Sequence, residues 1–307
     1  MKKLFAIILC VAMLAMAFTA CSSGNDDTPA TDDAGTVTDA GNEGGEEATG
    51  MTGAINVISR EEGSGTRSAF TELLGIVDEN ENDATIATAE ATNSTAVMMQ
   101  TVAGNEYAIG YISLGSLSDT VKAVSVDGVA ATAENVANGT YPIARPFNVA
   151  VKEGLSDVAA DFLTFLTSAE GQQIIEDEGY IKAVADAPAY TGSGMSGTVS
   201  LAGSTSVGPV MEVLAEAYME INPDVSVEVQ QSGSGAGMTS AIEGVCDIGM
   251  ASRDVSEEEQ AQGLIPTTIA TDGIAVIVNL ENPVDNMASE DIRDIYLGTI
   301  TDWSEIQ

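Results

Sequence analysis

Three times in this chain a short run of β-forming residues ends in a cluster of glycine and hydroxyl residues and passes at once into helical periodicity. That alternation specifies an α/β architecture, because a helix that follows a strand packs back on the sheet and leaves the connecting loop at one edge. Thr198-Val-Ser-Leu-Ala202 predicts one strand. It is followed by Gly203-Ser-Thr-Ser-Val-Gly-Pro209 and a helix carrying Val210, Val213, Leu214, Ala217 and Ile221 on one stripe, with Pro209 suited to its first turn. Val225 to Gln230 predicts a second strand, followed by Ser232-Gly-Ser-Gly-Ala-Gly237 and a helix through Met238, Ala241 and Ile242. Ile55 to Ser59 predicts the third, followed by Arg60-Glu-Glu-Gly-Ser-Gly-Thr-Arg67 and a helix through Phe70, Leu73 and Leu74.

Such loops are directed at anions. Glycine allows close backbone approach, the first N–H groups of a helix have no internal partner, and the helix dipole favours negative charge there. A single loop of this kind is more often a plain turn and cap; three in one chain, with arginines beside them, point to an anion. Cations sharpen the reading because they are scarce: the chain has 10 Lys+Arg against 47 Asp+Glu, a formal charge of −37. Beyond Lys2 and Lys3 these are Arg60, Arg67, Lys122, Arg145, Lys152, Lys182, Arg253 and Arg293. Arg60 and Arg67 bracket one loop, and Arg253 follows the strand-like Asp247-Ile-Gly-Met-Ala251. Arg60 is expected to be a direct, bidentate ligand for an oxyanion, whereas Arg67 and Arg253 are either ligands or salt-bridged surface residues.

The same composition excludes other functions. With no histidine there is no Ser-His-Asp triad, Cys-His pair or histidine proton shuttle. So acidic a chain repels nucleic acid, whose phosphates need clustered Lys/Arg. Cys10, Cys21 and Cys246 are the only cysteines, and the acid run Ser256-Glu-Glu-Glu259 reads as a solvated helix start. No metal site and no cofactor are expected.

Residues 1–20 read as a signal peptide: Met1-Lys-Lys3 is basic, Leu4 to Phe18 apolar, and Thr19-Ala20 small before Cys21. Small-small-Cys looks like a lipobox, which makes Cys21 the lipidated first residue of the mature chain. Residues 21–50 then form an acidic tether with eight acids, no base and Val37 as the only branched aliphatic side chain, a composition that stays extended. The 44% hydrophobic content supports a core in the remainder. Val158 to Glu178 reads as one or two amphipathic core helices, and Trp303 as a packing residue.

From Gly53 to Gln307 the chain resembles the phosphate-binding proteins of bacterial ABC phosphate importers. The motifs that carry the likeness are Ala202-Gly-Ser-Thr-Ser206, Gly233-Ser-Gly-Ala-Gly237, Asp247-Ile-Gly-Met-Ala-Ser-Arg253, Asp272-Gly-Ile-Ala-Val-Ile-Val-Asn279, Ile300-Thr-Asp-Trp303, Arg60-Glu-Glu-Gly-Ser-Gly-Thr66 and Ala108-Ile-Gly-Tyr111. The resemblance implies a two-lobed type II periplasmic-binding-protein fold with the ligand cleft between the lobes. The order of the motifs differs: residues 51–190 resemble the second half of the family's fold and 195–307 the first, as in a circular permutation. Trp303-Ser-Glu-Ile306 would run on into Ile55-Asn-Val-Ile-Ser59, and Gly192-Ser-Gly-Met-Ser-Gly197 would be a flexible link between the former ends. A truncated tandem array, with halves pairing between molecules, is the competing account.

Carried over by motif, the resemblance makes Thr205, Ser206, Ser234 and Ser252 phosphate contacts from one side, and Arg60, Ser64, Gly65 and Thr66 from the other. Where some members of the family place an aspartate that accepts the proton of phosphate, this chain reads Ser252, then Arg253 and Asp254. A carboxylate favours protonated phosphate over sulfate, so discrimination would need Asp254, Glu61 or Glu62 to point inward. The implied function is capture of inorganic phosphate by an extracytoplasmic lipoprotein, held to the membrane by its lipid alone, and delivery to the permease subunits of an ABC importer. No reaction is expected. The alternatives are a receptor for another tetrahedral oxyanion, sulfate first, and a sensing or interaction lipoprotein outside transport.

Overall fold

A computed structural model of the chain describes residues 50–306. The signal peptide, Cys21 and nearly all of the acidic tether lie outside the described residues. From its amino end the chain runs through β1 (Asn56–Arg60), α1 (Gly65–Leu74), β2 (Glu90–Thr92), α2 (Thr95–Ala103), β3 (Ala108–Ser113), β4 (Lys122–Ala123), β5 (Ser125–Val126) and α3 (Ala133–Ala137). Next come β6 (Ala144–Val151), α4 (Asp157–Leu166), α5 (Ala169–Asp177) and β7 (Ile181–Lys182). Then follow β8 (Gly197–Gly203), α6 (Gly208–Ile221), β9 (Val225–Gln231), α7 (Ser234–Glu243), β10 (Ile248–Ala251), α8 (Glu257–Ala261), β11 (Ile265–Val278), β12 (Asn286–Met287) and α9 (Ser289–Leu297).

The main sheet path is β2-β1-β3-β11-β6-β10-β8-β9. β11 joins its two ends: Ile265 to Gly273 pairs antiparallel with β6, and Ile274 to Val278 with β3. A register shift between Thr268 and Ala270 marks a bulge, which bends and twists a strand. One lobe is therefore built on β1, β2, β3 and the end of β11, and the other on β6, β8, β9, β10 and the start of β11. The chain crosses between them at Ile143/Ala144 and at Gly273/Ile274. These crossings fall inside both sequence halves, so each half supplies strands to both lobes, and the two halves complete one another within a single chain.

Each lobe has its own core. Phe70, Tyr111, Tyr296 and Trp303 fill the first; Phe147, Phe162, Phe165 and Tyr218 fill the second. Phe70 stacks on Tyr111 at 4.0 Å and meets Tyr296 edge-on at 4.9 Å, contacts that contribute about 0.5–1.5 kcal/mol each beyond area burial. Trp303 is buried and donates from Nε1 to the Tyr107 carbonyl, the packing role expected of it. Val158 to Glu178 divides into α4 and α5, capped by Ser156 and Ser168. The stripe expected on α6 is turned part-way around the helix: Val210, Met211, Leu214, Ala215 and Tyr218 are buried, while Ile221 is 42% exposed. Tyr218 takes the last inward position because it stacks edge-on against Phe162.

The described ends lie together in the first lobe. Ile55 N–H donates to the Thr301 carbonyl, Trp303 N–H to the Gly53 carbonyl, and Gly53 N–H to Asp302 Oδ1. The link near residues 190–197 is fastened rather than loose. Asp161 Oδ2 accepts from Tyr190 Oη, Ser193 Oγ and Tyr218 Oη, each at 2.6 Å, and Asn222 Oδ1 accepts from the Ser193 N–H. Burial pushes the Asp161 carboxyl up, but the bonds from Ser193, Tyr190 and Tyr218 outweigh it and hold the group below its ordinary value. A depressed carboxylate contributes stability above the ordinary aspartate range that is lost as pH falls through the folded-state value. Asp161→Ala, which takes from three hydroxyls their carboxylate acceptor, is expected to cost about 1–3 kcal/mol and to flatten the acid limb of a melting-temperature profile below about pH 5.

Candidate functional site

The C-terminal ends of the parallel strands in both lobes point at one cleft, the usual place for ligands in open α/β sheets. From the first lobe, β1 delivers Arg60 and α1 begins just after it. The guanidinium is buried, with only 2% of the residue exposed. Its position is fixed from behind. Arg60 N–H donates to Tyr111 Oη, Tyr111 Oη shares a 3.0 Å bond with Ser59 Oγ, and Arg67 Nη1 donates to the Arg60 carbonyl at 2.7 Å. Burial pushes the Tyr111 phenol up to about 12, so it stays a neutral hydrogen-bonding post.

Glu61 pairs with Arg60 through both carboxylate oxygens, each 2.9 Å from Nε or Nη2. Nη2 also donates to Thr205 Oγ1 of the second lobe at 3.0 Å. Among the described residues no acceptor meets Nη1, which leaves that edge of the guanidinium for a ligand.

From the second lobe three loops converge. β8 ends at Gly203, whose φ of 145° and close approach to the Met250 backbone exclude a side chain. The following Ser204 Oγ accepts from the N–H groups of Ser206 and Val207 and donates to Ser252 Oγ at 2.9 Å. α6 and α7 start without a capping side chain, so their dipoles open toward the cleft. Ser252, after β10, donates its N–H to Ser234 Oγ at 3.2 Å.

The lobes meet through these groups. Thr66 Oγ1 and Ser206 Oγ are 2.8 Å apart, and Gly235 N–H donates to the Gly63 carbonyl at 3.0 Å. Ser64, Thr66, Thr205, Ser206, Ser234 and Ser252 are all buried. All eight residues proposed from sequence, Gly65 included, are thus brought together. Ser64 has a second duty, capping α1 by accepting from the Arg67 N–H.

Two further hydroxyls belong to the cluster. Ser204 lies inside the motif already noted and accepts the Ser206 and Val207 N–H groups in the turn ahead of α6. Thr95 opens α2, and its Oγ1 lies 3.4 Å from both the Thr205 carbonyl and Ser206 Oγ. It belongs to a fourth strand–turn–helix unit, β2 to α2, with Ser94 as cap. The run Thr92-Asn-Ser-Thr95 carries the same hydroxyl signal but no glycine.

The remaining candidates go elsewhere. Arg253 is engaged by Glu259 through a bidentate pair at 2.9 and 2.7 Å, and Arg67 pairs with Asp83. Glu62 and Asp254 are exposed, so of the three carboxylates considered for selectivity only Glu61 borders the cleft, already paired with Arg60. Among the described residues no group of three or more Cys, Asp or Glu side chains could hold a metal ion, and no helix is long and apolar enough to cross a membrane.

A model described as "PBP superfamily domain" matches residues 14–170 and 188–307. The chain belongs to the PBP superfamily. Within that superfamily it is 48% identical over 259 residues to the phosphate-binding protein PstS 2 of Streptococcus agalactiae, covering 83% of this chain and 88% of the relative. It is also similar to a crystal structure of the phosphate-binding protein of a phosphate ABC transporter from Streptococcus pneumoniae, at 44% identity and a TM-score of 0.67, covering 83% of this chain and 100% of that one. The match to PstS of Bacillus subtilis is 34% identical over 115 residues and spans 36% of this chain and 38% of that protein. The two-lobed α/β fold expected from the motifs is therefore the fold of the superfamily.

At Gly65 the lobes approach too closely for a side chain. A Cβ there would lie 2.3 Å from Ser234 Oγ and 2.9 Å from Ser252 Oγ. Gly65→Ala is expected to fold with unchanged circular dichroism but to give a larger radius of gyration than the parent in small-angle scattering.

Proposed function

We propose that this chain captures inorganic phosphate between its lobes and hands it to the permease of an ABC phosphate importer. The observation that carries the reading is the convergence of one buried guanidinium with buried hydroxyls from both lobes. Phosphate presents four oxygens in a tetrahedron, and this cluster offers donors from opposite sides at short range. That geometry suits a protein whose net charge repels anions at a distance. The phosphate-binding relatives, similar over most of their length, support the same ligand.

In this reading Arg60 contributes Nη1, Thr205, Ser206, Ser234 and Ser252 contribute hydroxyls and N–H groups from the second lobe, and Ser64, Gly65 and Thr66 contribute them from the first. The protein works by differential binding: phosphate favours the form in which the lobes meet, and that form is the one a permease recognises. It acts as a binding protein rather than an enzyme. The chain order, residues 51–190 before 195–307, is a circular permutation of the order in other members. Two observations support this: the uninterrupted likeness to the streptococcal relative against the partial match to the Bacillus one, and the adjacency of residues 53–55 and 301–303.

A second oxyanion has a specific observation in its favour. The acceptors in the cleft are hydroxyls, and the bordering carboxylate of Glu61 is held by Arg60, so sulfate meets no free carboxylate. Calorimetric titration of the chain from residue 50 onward, stripped of anion, decides both points. Phosphate is expected to bind one to one, with sulfate as a measurable competitor. Arg60→Ala is expected to weaken phosphate by about 2–5 kcal/mol without unfolding the chain, and an unchanged affinity would overturn the site.

We further propose that Cys21 carries a lipid and holds the protein on the outer face of the cytoplasmic membrane. Cys21→Ala is expected to move the protein from the membrane fraction to the medium, as read by immunoblot.

A further inference from the structure

Besides Arg60, Arg145 is the other guanidinium sealed inside the described chain, and nothing in the cleft's direct contacts accounts for it. It stands at the crossing between the lobes. Asp272 is its cross-strand partner in the β6–β11 ladder, one rung before Gly273↔Ala144, where both connections leave the second lobe. Arg145 Nε and Nη2 donate to Asp272 Oδ2 at 3.2 and 3.0 Å, with both side chains 1% exposed. Ser113, at the end of β3 in the first lobe, donates to Asp272 Oδ1 at 3.0 Å. The third nitrogen, Nη1, donates to the Ser252 carbonyl at 3.2 Å.

A buried ion pair is poor evidence for stability, since desolvation opposes the attraction and an apolar pair of the same volume does as well or better. Its geometry is more telling. One β6 side chain, Arg145, holds the carbonyl of Ser252, and another, Asn148, donates to the carbonyl of Arg253 at 3.0 Å. The loop that presents Ser252 to the cleft is thus hung on β6 by two carbonyls. Burial pushes the Asp272 carboxyl up, and the Arg145 charge with the Ser113 bond works against that rise. Arginine keeps its proton in such surroundings.

We infer that Arg145 is a positioning residue for the anion site: held by Asp272 at the crossing between the lobes, it fixes the loop that presents Ser252 to the cleft. The inference rests on the phosphate reading above. It predicts that affinity follows the arginine, whereas stability follows the pairing of charges.

Arg145→Met leaves Asp272 buried without its partner and is expected to melt well below the parent. Arg145→Met/Asp272→Asn removes both charges and is expected to recover most of that loss, yet to bind phosphate about tenfold more weakly or worse, the scale on which orienting partners behind a ligand set act. Parental affinity in the double variant would overturn the inference and leave the pair a purely structural one. A measurement on the parent does not depend on either variant folding. The chain has five arginines, so their Nε–H resonances are separable. On titration with inorganic phosphate the Arg145 resonance should shift together with that of Arg60; an Arg145 resonance that stays in place while Arg60 moves would refute the coupling. If the parent takes up no phosphate, the ligand assignment fails first, and does so visibly in the Arg60 resonance.

Discussion

The backbone ladder of β11 is the interaction on which the rest of this molecule depends. One strand of 14 residues is shared by two sheets, with β6 on one stretch and β3 on the next. Because it is continuous, the lobes are neither separate domains on a loose linker nor one rigid block. Their relative position is set where the strand changes partners, at Gly273 and Ile274. The parallel strands on both sides then run so that their C-terminal ends, with four hydroxyl-rich turns and the helices they start, face across one gap. Arg60, Thr66 and Thr95 on one side and Thr205, Ser206 and Ser234 on the other are neighbours for that reason, although up to 174 positions separate them in the chain, the spacing of residues 60 and 234.

A chain with a formal charge of −37 is an unlikely-looking host for an anion. The structure resolves the conflict by range. Acidic side chains such as Glu62 and Asp254 face water, where salt screens them within about 8–10 Å. The charges that matter to a ligand are buried in a low-dielectric interior, where a guanidinium and oriented hydroxyl dipoles act strongly over short distances. Glu61 and Asp272 orient Arg60 and Arg145 through fixed bonds. In the proposed reading, capture is thereby decided by contact rather than by long-range steering.

Much of this was legible in the residues themselves. The loops after β1, β8 and β9 announce themselves because the same glycine and hydroxyl pattern follows a strand three times in one chain, and Arg60 stands out in a chain so poor in cations. The unit β2 to α2 is harder to see. Its strand has only three residues and its turn, Asn93-Ser94, lacks the glycine that marks the others. The lobe boundaries at Ile143/Ala144 and Gly273/Ile274 are defined only by pairing partners distant in sequence; the charged residues beside them, Arg145 and Asp272, mark nothing until the fold brings the two together. The fastening of Tyr190 and Ser193 by Asp161 is of the same kind. Glycine and serine there suggest freedom, and a carboxylate some thirty positions earlier removes it, Tyr190 lying 29 positions from Asp161. Arg67 and Arg253 illustrate the converse: their partners Asp83 and Glu259 are ordinary acids among many, and only the fold selects them.

The pairing of residues 53–55 with 301–303 has a mechanical consequence. Chain that precedes Gly53 or follows Trp303 departs from the first lobe, on adjacent segments held by Ile55–Thr301, Trp303–Gly53 and Gly53–Asp302 bonds. Tension on either end is therefore borne locally and does not cross the cleft, so a tether can tug on one lobe without prising the two apart.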